Sequence, residues 1–432
     1  MGKSLILKKV SFGFVTGAIS LVIDSLVGLS ILPLLLKFLS KDIAGLWVFF
    51  MSFTGIVLLG QAGLAPVVIR LSAEIKEKRE ESRFFDNIWS NITHSFLVAT
   101  FLVLLICGVL YFAYIREVLI KNNFLVEGTY CWIFLSLGNA LRIYGIKYLH
   151  IINGLGEVGW DKVVKIMVSV TTLSGYYLVL KLNFGFKALG LSFLVSSALF
   201  YAASWLLFER FNKGVFIKRI TKPVIAQLKY FFKESGKILV LNLTSFFVMQ
   251  SDIFIIERLA GLKIIPYYSG LSRIVTIVIA VSSLATQLIY PFIAQKYAAK
   301  DYDGLRKLYY KNVIVAILIS FAIGLPALLL APYVVPLWLG KGGYLGSTLF
   351  GLMLLLGVIY AHHNAHASSI IATGTTTFMG AAICNAVLSL SLAIVGGMKF
   401  GMIGIVAGNI LGTIIPSIYV VTWSLKFIKK LK

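Results

Sequence analysis

Two long apolar runs near the N-terminus most restrict what this chain can fold into. They are Ser11–Phe38 and Ile43–Leu71, and a short polar hinge joins them. Each is longer than the roughly 20 residues that cross the hydrocarbon core of a bilayer. The first carries one carboxylate, Asp24, near its middle, and the second is interrupted by Gly60-Gln61-Ala62-Gly63 and Pro66. A mid-membrane charge faces a bundle interior or a watered cavity, and broken helices line such cavities in transporters, so this pair predicts transport.

Composition places the whole chain among polytopic membrane proteins. It has 432 residues, of which 59% are hydrophobic, and a mean hydropathy of +0.92. The net charge of +23 could indicate nucleic acid, but the charges lie in the gaps between apolar runs and leave no basic, aromatic patch for it. The three cysteines lie within apolar runs without pairing or metal spacing. We therefore expect no nucleic-acid partner and no cofactor.

The apolar runs predict an all-α membrane protein with about 12 transmembrane helices. After the opening pair, spans are expected at about 88–115, 130–152, 163–182, 188–208, 238–256, 264–294, 312–337, 344–372, 378–396 and 402–427. Aligning the two halves places Lys37 on Arg258 and Trp47 on Tyr268. Equal span counts and these matches favour two pseudo-symmetric six-helix bundles around a central cavity.

A basic connector separates the predicted halves. The expected domains are an N-terminal bundle at 1–209, the connector at 210–236 and a C-terminal bundle at 237–432. In the connector, apolar residues recur at helical spacing between lysines and arginines, which is typical of a helix lying on an anionic membrane surface. A solvated basic loop is the alternative.

Charge bias predicts the orientation. Most of the 40 Lys and Arg residues fall in segments that share one side of the membrane with both termini. Because such residues accumulate in cytoplasmic loops, we expect both termini in the cytoplasm of a bacterium and the chain in its inner membrane.

Two carboxylates within spans are candidates for ion coupling. Asp24 shares a helix face with Thr16, Ser20 and Gly28, and Asp252 lies nearer the outer end of span seven. Either could hold Na⁺ or a proton whose occupancy biases a transport cycle. A structural carboxylate bonded to a neighbouring helix is the alternative for both.

Buried cations indicate an anionic substrate. Arginine keeps its charge and presents a fork of donors that matches phosphate oxygens. Each cation could instead pair with a carboxylate or a backbone carbonyl, and Lys147 could extend to the cytoplasmic surface. The predicted substrate-binding residues are Arg142, Arg273, Lys147, Asn139, Gln61 and Gln250.

Span ten carries three histidines whose role stays open. His362 and His366 are four residues apart and could share one zinc ion, with His363 between them. Two ligands alone do not complete a zinc site, so polar contacts between helices or the lining of a cavity are favoured.

The sequence resembles the polysaccharide transporters, or O-antigen-type flippases, of the multidrug/oligosaccharidyl-lipid/polysaccharide (MOP) exporter superfamily. The likeness covers the whole layout and rests on the Lys-rich start, residues 35–47, the stretch from Gly60 through Glu74, and residues 184–190. The resemblance implies two six-helix bundles around a V-shaped cavity. It also implies an undecaprenyl-pyrophosphate-linked oligosaccharide as substrate, moved from the cytoplasmic to the periplasmic leaflet. A polysaccharide polymerase and a chain-length regulator are the partners that it implies, besides membrane lipid.

One departure from the family pattern concerns the arginines. Related flippases of cell-wall precursors place arginines in spans one and eight, and Arg273 loosely matches the second of these positions. Span one has Asp24 instead.

Three other functions compete with a flippase. A drug or cation antiporter of the same fold would prefer an acidic, aromatic cavity, and Arg142 and Arg273 argue against it. A membrane glycosyltransferase or ligase acting on the lipid-linked sugar would need a large outer loop and paired carboxylates, which the sequence lacks. A pure scaffold would need no charges in its spans. We therefore expect a transporter and not an enzyme.

Overall fold

The protein is all-α in the computed structural model, which describes residues 3–77, 88–212, 225–375 and 378–431. Within these ranges no β-strand occurs, and the predicted fold class is confirmed. The α-helices are α1 (Lys3–Phe38), α2 (Lys41–Ala62), α3 (Leu64–Glu77), α4 (Ile88–Leu110), α5 (Arg116–Lys121), α6 (Leu125–Gly154), α7 (Trp160–Lys181), α8 (Phe186–Asn212), α9 (Ile225–Ala260), α10 (Ile265–Ala298), α11 (Tyr302–Leu339), α12 (Ser347–Ile371) and α13 (Met379–Lys430). A π-helical turn, Tyr111–Ile115, joins α4 to α5, and a 3₁₀ turn, Leu262–Ile264, precedes α10.

Eight helices of the described chain are long and apolar enough to cross a membrane, which makes it a multi-pass membrane protein. One of the eight, α13, holds two arms, because Gly401 leaves the helical region with φ 60° and ψ −145°. The other predicted spans correspond to α2 with α3, to α6 and to α9. Among them, α6 contains Glu127, Arg142 and Lys147. They are the helices that hold most of the candidate site residues.

The described chain divides into two compact units. The N-terminal unit comprises Met1–Leu39 and Phe50–Asn242, and the C-terminal unit comprises Ser40–Phe49 and Leu243–Lys432. The domain boundaries expected from the sequence, 1–209, 210–236 and 237–432, remain a prediction. Residues 213–224 of the predicted basic connector lie outside the described residues, and 225–236 form the start of α9.

Small residues set the packing of the N-terminal unit. Here α6 packs along α8, α7 lies against α1 and α8, and α3 and α4 lie against α6. A β-carbon on Gly190 of α8 would come within 2.8 Å of the Cys131 carbonyl oxygen on α6, and one on Gly154 would meet the Ile69 carbonyl oxygen of α3 at 2.4 Å. Glycine at these positions lets the backbones approach closely, which is how helices associate in lipid.

The C-terminal unit packs α10 against α11 and α12, α11 against α12, and α12 against α13. The start of α2 also belongs to this unit. The Phe49 ring lies 5.9 Å from that of Phe254 on α9, and a β-carbon on Gly45 would meet the Leu262 carbonyl oxygen at 2.0 Å. Ten residues from early in the chain are thus part of the later unit.

A carboxylate between α10 and α11 caps the N-terminus of α11. Asp301 Oδ1 accepts a hydrogen bond from the backbone N–H of Gly304 at 2.9 Å, at the N-terminus of α11. Lys296 donates to the same carboxylate and lowers the pKa of Asp301 below its ordinary value. The cap satisfies one of the backbone donors that a helix start leaves open.

Candidate functional site

Asp24 lies midway along α1 and is held by two serine hydroxyls. Ser169 Oγ of α7 donates to Asp24 Oδ1 at 2.6 Å, and Ser20 Oγ, one turn earlier on α1, donates to Oδ2 at 3.2 Å. The Thr16 hydroxyl, on the same face, donates instead to the Phe12 carbonyl at 2.7 Å. Hydroxyl oxygens next to a carboxylate are ligands that hard cations accept. The arrangement therefore fits both a structural link between α1 and α7 and a cation site.

Arg142 of α6 is hydrogen-bonded to two adjacent serines of α8. Its Nε donates to Ser197 Oγ at 2.9 Å, and Nη2 donates to Ser196 Oγ at 3.1 Å. The guanidinium carbon lies 4.2 Å from the centre of the Phe193 ring. A β-carbon on Gly138, one turn before Arg142, would meet the Phe193 ring at 2.7 Å, so glycine there lets α8 come close enough for these contacts.

The charge of Arg142 has no carboxylate partner within the described ranges. Its two hydrogen bonds end on neutral hydroxyls, and no Asp or Glu that the structure describes lies within ion-pair distance. Of its five N–H donors, three make no hydrogen bond to a described residue. Serine dipoles and an aromatic face offset part of the charge. The guanidinium thus keeps donors for an anionic ligand.

Lys147 is buried among aromatic rings further along α6. The side chain is 1% exposed, which excludes the alternative that it extends to the cytoplasmic surface. Its Nζ lies 3.5 Å from the ring centre of Tyr144, 4.9 Å from that of Tyr148 and 5.7 Å from that of Trp89. Cation–π contacts of this kind offset only part of the cost of burying an ammonium group. Lys147 is therefore a second basic side chain within the same unit.

Asn139 lies one turn before Arg142 and is also buried. Its side chain is 3% exposed, and its Oδ1 has no hydrogen-bond partner among the described residues. An unsatisfied buried amide oxygen is costly, and a ligand donor such as a sugar hydroxyl would satisfy it. Asn139, Arg142 and Lys147 thus present polar groups along one helix of the N-terminal unit.

The second carboxylate, Asp252 of α9, is bonded to neighbours from α10 and α13. Tyr268 Oη donates to Asp252 Oδ2, and Asn409 Nδ2 donates to Oδ1 at 2.6 Å. The Oδ1 atom of Asn409 is buried and has no hydrogen-bond partner within the described part of the chain. The Asp252 carboxylate and the Asn409 amide oxygen, which accepts no hydrogen bond from a described residue, are oxygen atoms of the kind that cations bind.

The remaining predicted residues are placed as follows. Arg273 of α10 and Gln250 of α9 are half-buried in the C-terminal unit. Gln61 is in the last turn of α2, next to the break at Gly63. The structure therefore groups Asp24, Asn139, Arg142 and Lys147 in one unit and Gln250, Asp252 and Arg273 in the other.

Sequence reasoning missed the neutral partners of these charges. They are Ser169 for Asp24, Ser196 and Ser197 with Phe193 for Arg142, and Tyr268 and Asn409 for Asp252. The adjacent pair Ser196-Ser197 inside an apolar run was the one visible signal, since two hydroxyls in a membrane helix indicate a polar partner across the interface.

Comparisons with known proteins find the fold but no sequence relative. No family profile matches the chain, and no curated protein does. An inward-facing multidrug-resistance MATE family transporter of the MOP superfamily superimposes with a TM-score of 0.74 at 16% identity, over 97% of this chain and 98% of that one. The lipid II flippase MurJ, in an inward closed conformation, gives a TM-score of 0.75 at 15% identity, over 95% and 87%.

A third solved structure agrees with these two. A variant of the Vibrio cholerae MATE transporter VcmN gives a TM-score of 0.66 at 14% identity, over 99% of this chain and 98% of the other. The three likenesses extend over nearly the whole length of both chains, so the shared architecture includes both units. This chain has the fold of the transporters and flippases of the MOP superfamily.

Proposed function

We propose that the protein is a flippase for an undecaprenyl-pyrophosphate-linked oligosaccharide in the bacterial inner membrane, with both termini in the cytoplasm. The observation that supports this most is Arg142, a half-buried guanidinium that donates hydrogen bonds to neutral serines. A diphosphate-linked sugar cannot cross hydrocarbon unaided, because stripping its charges of water is prohibitive. Fixed cations inside the bundle lower that barrier while the lipid tail stays in the bilayer.

In this proposal Arg142 and Arg273 contact the pyrophosphate, and Lys147 adds positive potential in the N-terminal unit. Asn139, Gln61 and Gln250 bind sugar hydroxyls or phosphate oxygens. Asp24 and Asp252 bind Na⁺ or a proton, and their occupancy biases inward-open against outward-open states. The hydroxyl and amide oxygens beside both carboxylates support that role. A polysaccharide polymerase and a chain-length regulator would act on the product.

The test is leaflet-resolved detection of a lipid-linked oligosaccharide in proteoliposomes. We expect the wild type to move the lipid between leaflets and Arg142→Ala to move it at least tenfold more slowly, with equal protein in the vesicles. Arg210→Ala is the matched control, because Arg210 is an exposed cation at the end of α8. Normal movement by Arg142→Ala would refute the role of that residue, and absence of movement by the wild type would refute the function.

A drug or cation antiporter is the second candidate. The likeness to MATE transporters and the half-buried carboxylates Asp24 and Asp252 favour it. The same proteoliposomes distinguish the two functions, since an antiporter would export a cationic dye against an imposed Na⁺ or proton gradient. Dye export that Asp24→Asn abolishes, without any movement of lipid-linked sugar, would establish the antiporter.

A further inference from the structure

The three histidines of α12 form two separate arrangements. His363 Nδ1 lies 3.0 Å from Ser417 Oγ of α13, so this side chain links two helices. His362 and His366, one turn apart on another face, turn their rings toward each other, with Nε2 of one 3.1 Å from Nε2 of the other. The ring centres are 4.6 Å apart and the planes are inclined by 77°. None of the roles assigned above uses this pair.

The spacing of the two Nε2 atoms is that of two ligands of one metal ion. Imidazole nitrogens bind Zn²⁺ at about 2.0–2.1 Å, so two of them in tetrahedral arrangement lie about 3.3 Å apart. The observed 3.1 Å is within a few tenths of an ångström of that value. Histidines at i and i+4 of a helix place two nitrogens on one face, as they do in helical zinc sites.

A third side chain fixes the orientation of His366. Tyr309 Oη of α11 lies 2.5 Å from His366 Nδ1, and both residues are buried. When Nδ1–H donates to the tyrosine oxygen, Nε2 is the deprotonated nitrogen of His366, and its lone pair can bind a metal ion. Metal-binding histidines usually have their second nitrogen held in this way, which sets the tautomer and the ring direction.

We propose that His362 and His366 bind one divalent transition-metal ion of the zinc type, with Tyr309 as a positioning residue. Among the described residues no group of three His, Cys, Asp or Glu is arranged around a metal, so the protein supplies two nitrogen ligands. Water or oxygen atoms of another molecule complete the coordination. The proposal is independent of the proposed function, because it concerns residues that the transport mechanism does not use.

The test is zinc binding by the purified full-length protein in detergent, with any affinity tag removed. Equilibrium dialysis against Zn²⁺ should give one bound ion per chain for the wild type, and none for His362→Ala or His366→Ala. His363→Ala is the matched control and should still bind one ion. Zn²⁺ should raise the thermal midpoint of the wild type and of His363→Ala but not of His362→Ala, since a ligand stabilises only a protein that binds it.

Two further variants complete the test. Tyr309→Phe should weaken zinc binding about 10- to 100-fold, as loss of an orienting partner does. His362→Gln, which keeps a polar side chain of similar reach, replaces His362→Ala if that variant is not monodisperse in gel filtration. Absence of zinc binding by the wild type, or equal binding by the wild type, His362→Ala and His366→Ala, would overturn the site and leave the pair as a hydrogen bond within α12.

Discussion

Neutral groups contact three charged or basic residues of the described helices, Asp252, Arg142 and Lys147. Asp252 accepts from a tyrosine and an amide, Arg142 donates to two serines, and the ammonium of Lys147 lies over aromatic rings. Such contacts make burial tolerable without cancelling the charge, as a fixed opposite charge would. A substrate or coupling ion can then still interact with it, which is what a transport cycle requires.

Replacing Asp252 by Asn should uncouple transport from the ion gradient. The amide has the size of the carboxylate and can still bond Tyr268, but it cannot exchange Na⁺ or a proton. We expect lipid movement by Asp252→Asn to be the same with and without an imposed Na⁺ or pH gradient, whereas the wild type responds to one of them. Asp303→Asn, at an exposed carboxylate paired with Arg306, is the control. A preserved gradient response in Asp252→Asn would exclude this residue as the coupling site.

Replacing Lys147 by Met should leave the protein as stable or more stable. Methionine keeps most of the volume in contact with Tyr144 and Tyr148, and it removes a buried charge whose desolvation costs several kcal/mol. Cation–π contacts offset only part of that cost, and replacing a buried charge by a well-packed apolar side chain is often neutral or stabilising. We expect an unchanged or higher thermal midpoint for Lys147→Met in detergent, next to an unchanged one for Lys121→Met at an exposed lysine. A clearly lower midpoint would show that the aromatic rings stabilise the ammonium by more than its desolvation cost.

The charges could be found from sequence, but their partners on other helices could not. A single Asp24 or Arg142 stands out because it is the one charged residue in the middle of an apolar run. Ser169 is 145 positions from Asp24, and Asn409 is 157 positions from Asp252. Such pairs depend on which helix faces pack together, and periodicity within one helix does not contain that information.

Helix breaks were predictable where glycine marks them. The interruption expected at Gly60–Gly63 is found, since α2 ends at Ala62 and α3 begins at Leu64. Pro66 lies in the first turn of α3, where the missing N–H would have had no partner in the helix anyway. The π-turn at Tyr111–Ile115 has no comparable signal, because its sequence is ordinary apolar helix.

The two arms of α13, before and after the kink at Gly401, pack closely against each other where Gly396 meets Gly404. A β-carbon on Gly404 would lie 1.9 Å from the Gly396 carbonyl oxygen, whereas one on Gly380 would have nothing within 4 Å. Backbone cannot move aside as a flexible side chain can. Gly404→Ala should therefore destabilise the protein by about 1–3 kcal/mol, the usual cost of overpacking.

The measurement is the thermal midpoint in detergent, with Gly380→Ala as the control. Gly380→Ala should match or slightly exceed the wild type, because alanine favours helix. Equal thermal midpoints for the two variants would mean that the close packing of the two arms at Gly404 does not contribute to stability.

At the scale of the whole molecule, each of the two units is formed by two stretches that are not adjacent in the sequence. The unit that contains Leu243–Lys432 also contains Ser40–Phe49. A fragment covering 243–432 should therefore be poorly stable alone, since Phe254 and Leu262 lose their contacts with Phe49 and Gly45. A fragment that adds residues 40–49 through a flexible linker should have a higher thermal midpoint. The same ten residues with Gly45→Leu should not rescue it, and equal midpoints for all three fragments would contradict the assignment.

Because Ser40–Phe49 belongs to the C-terminal unit, this unit can fold only late in synthesis. Gly45 leaves the ribosome 217 residues before Leu262 (262 minus 45), so its binding surface does not yet exist when α1–α8 are already inserted. The first turns of α2 cannot make their contacts with Phe254 and Leu262 until α9 and the start of α10 have been synthesised. Maturation of the C-terminal unit therefore requires both α9 and α10, and a ribosome stall between α8 and α10 would leave Ser40–Phe49 without the residues against which it packs.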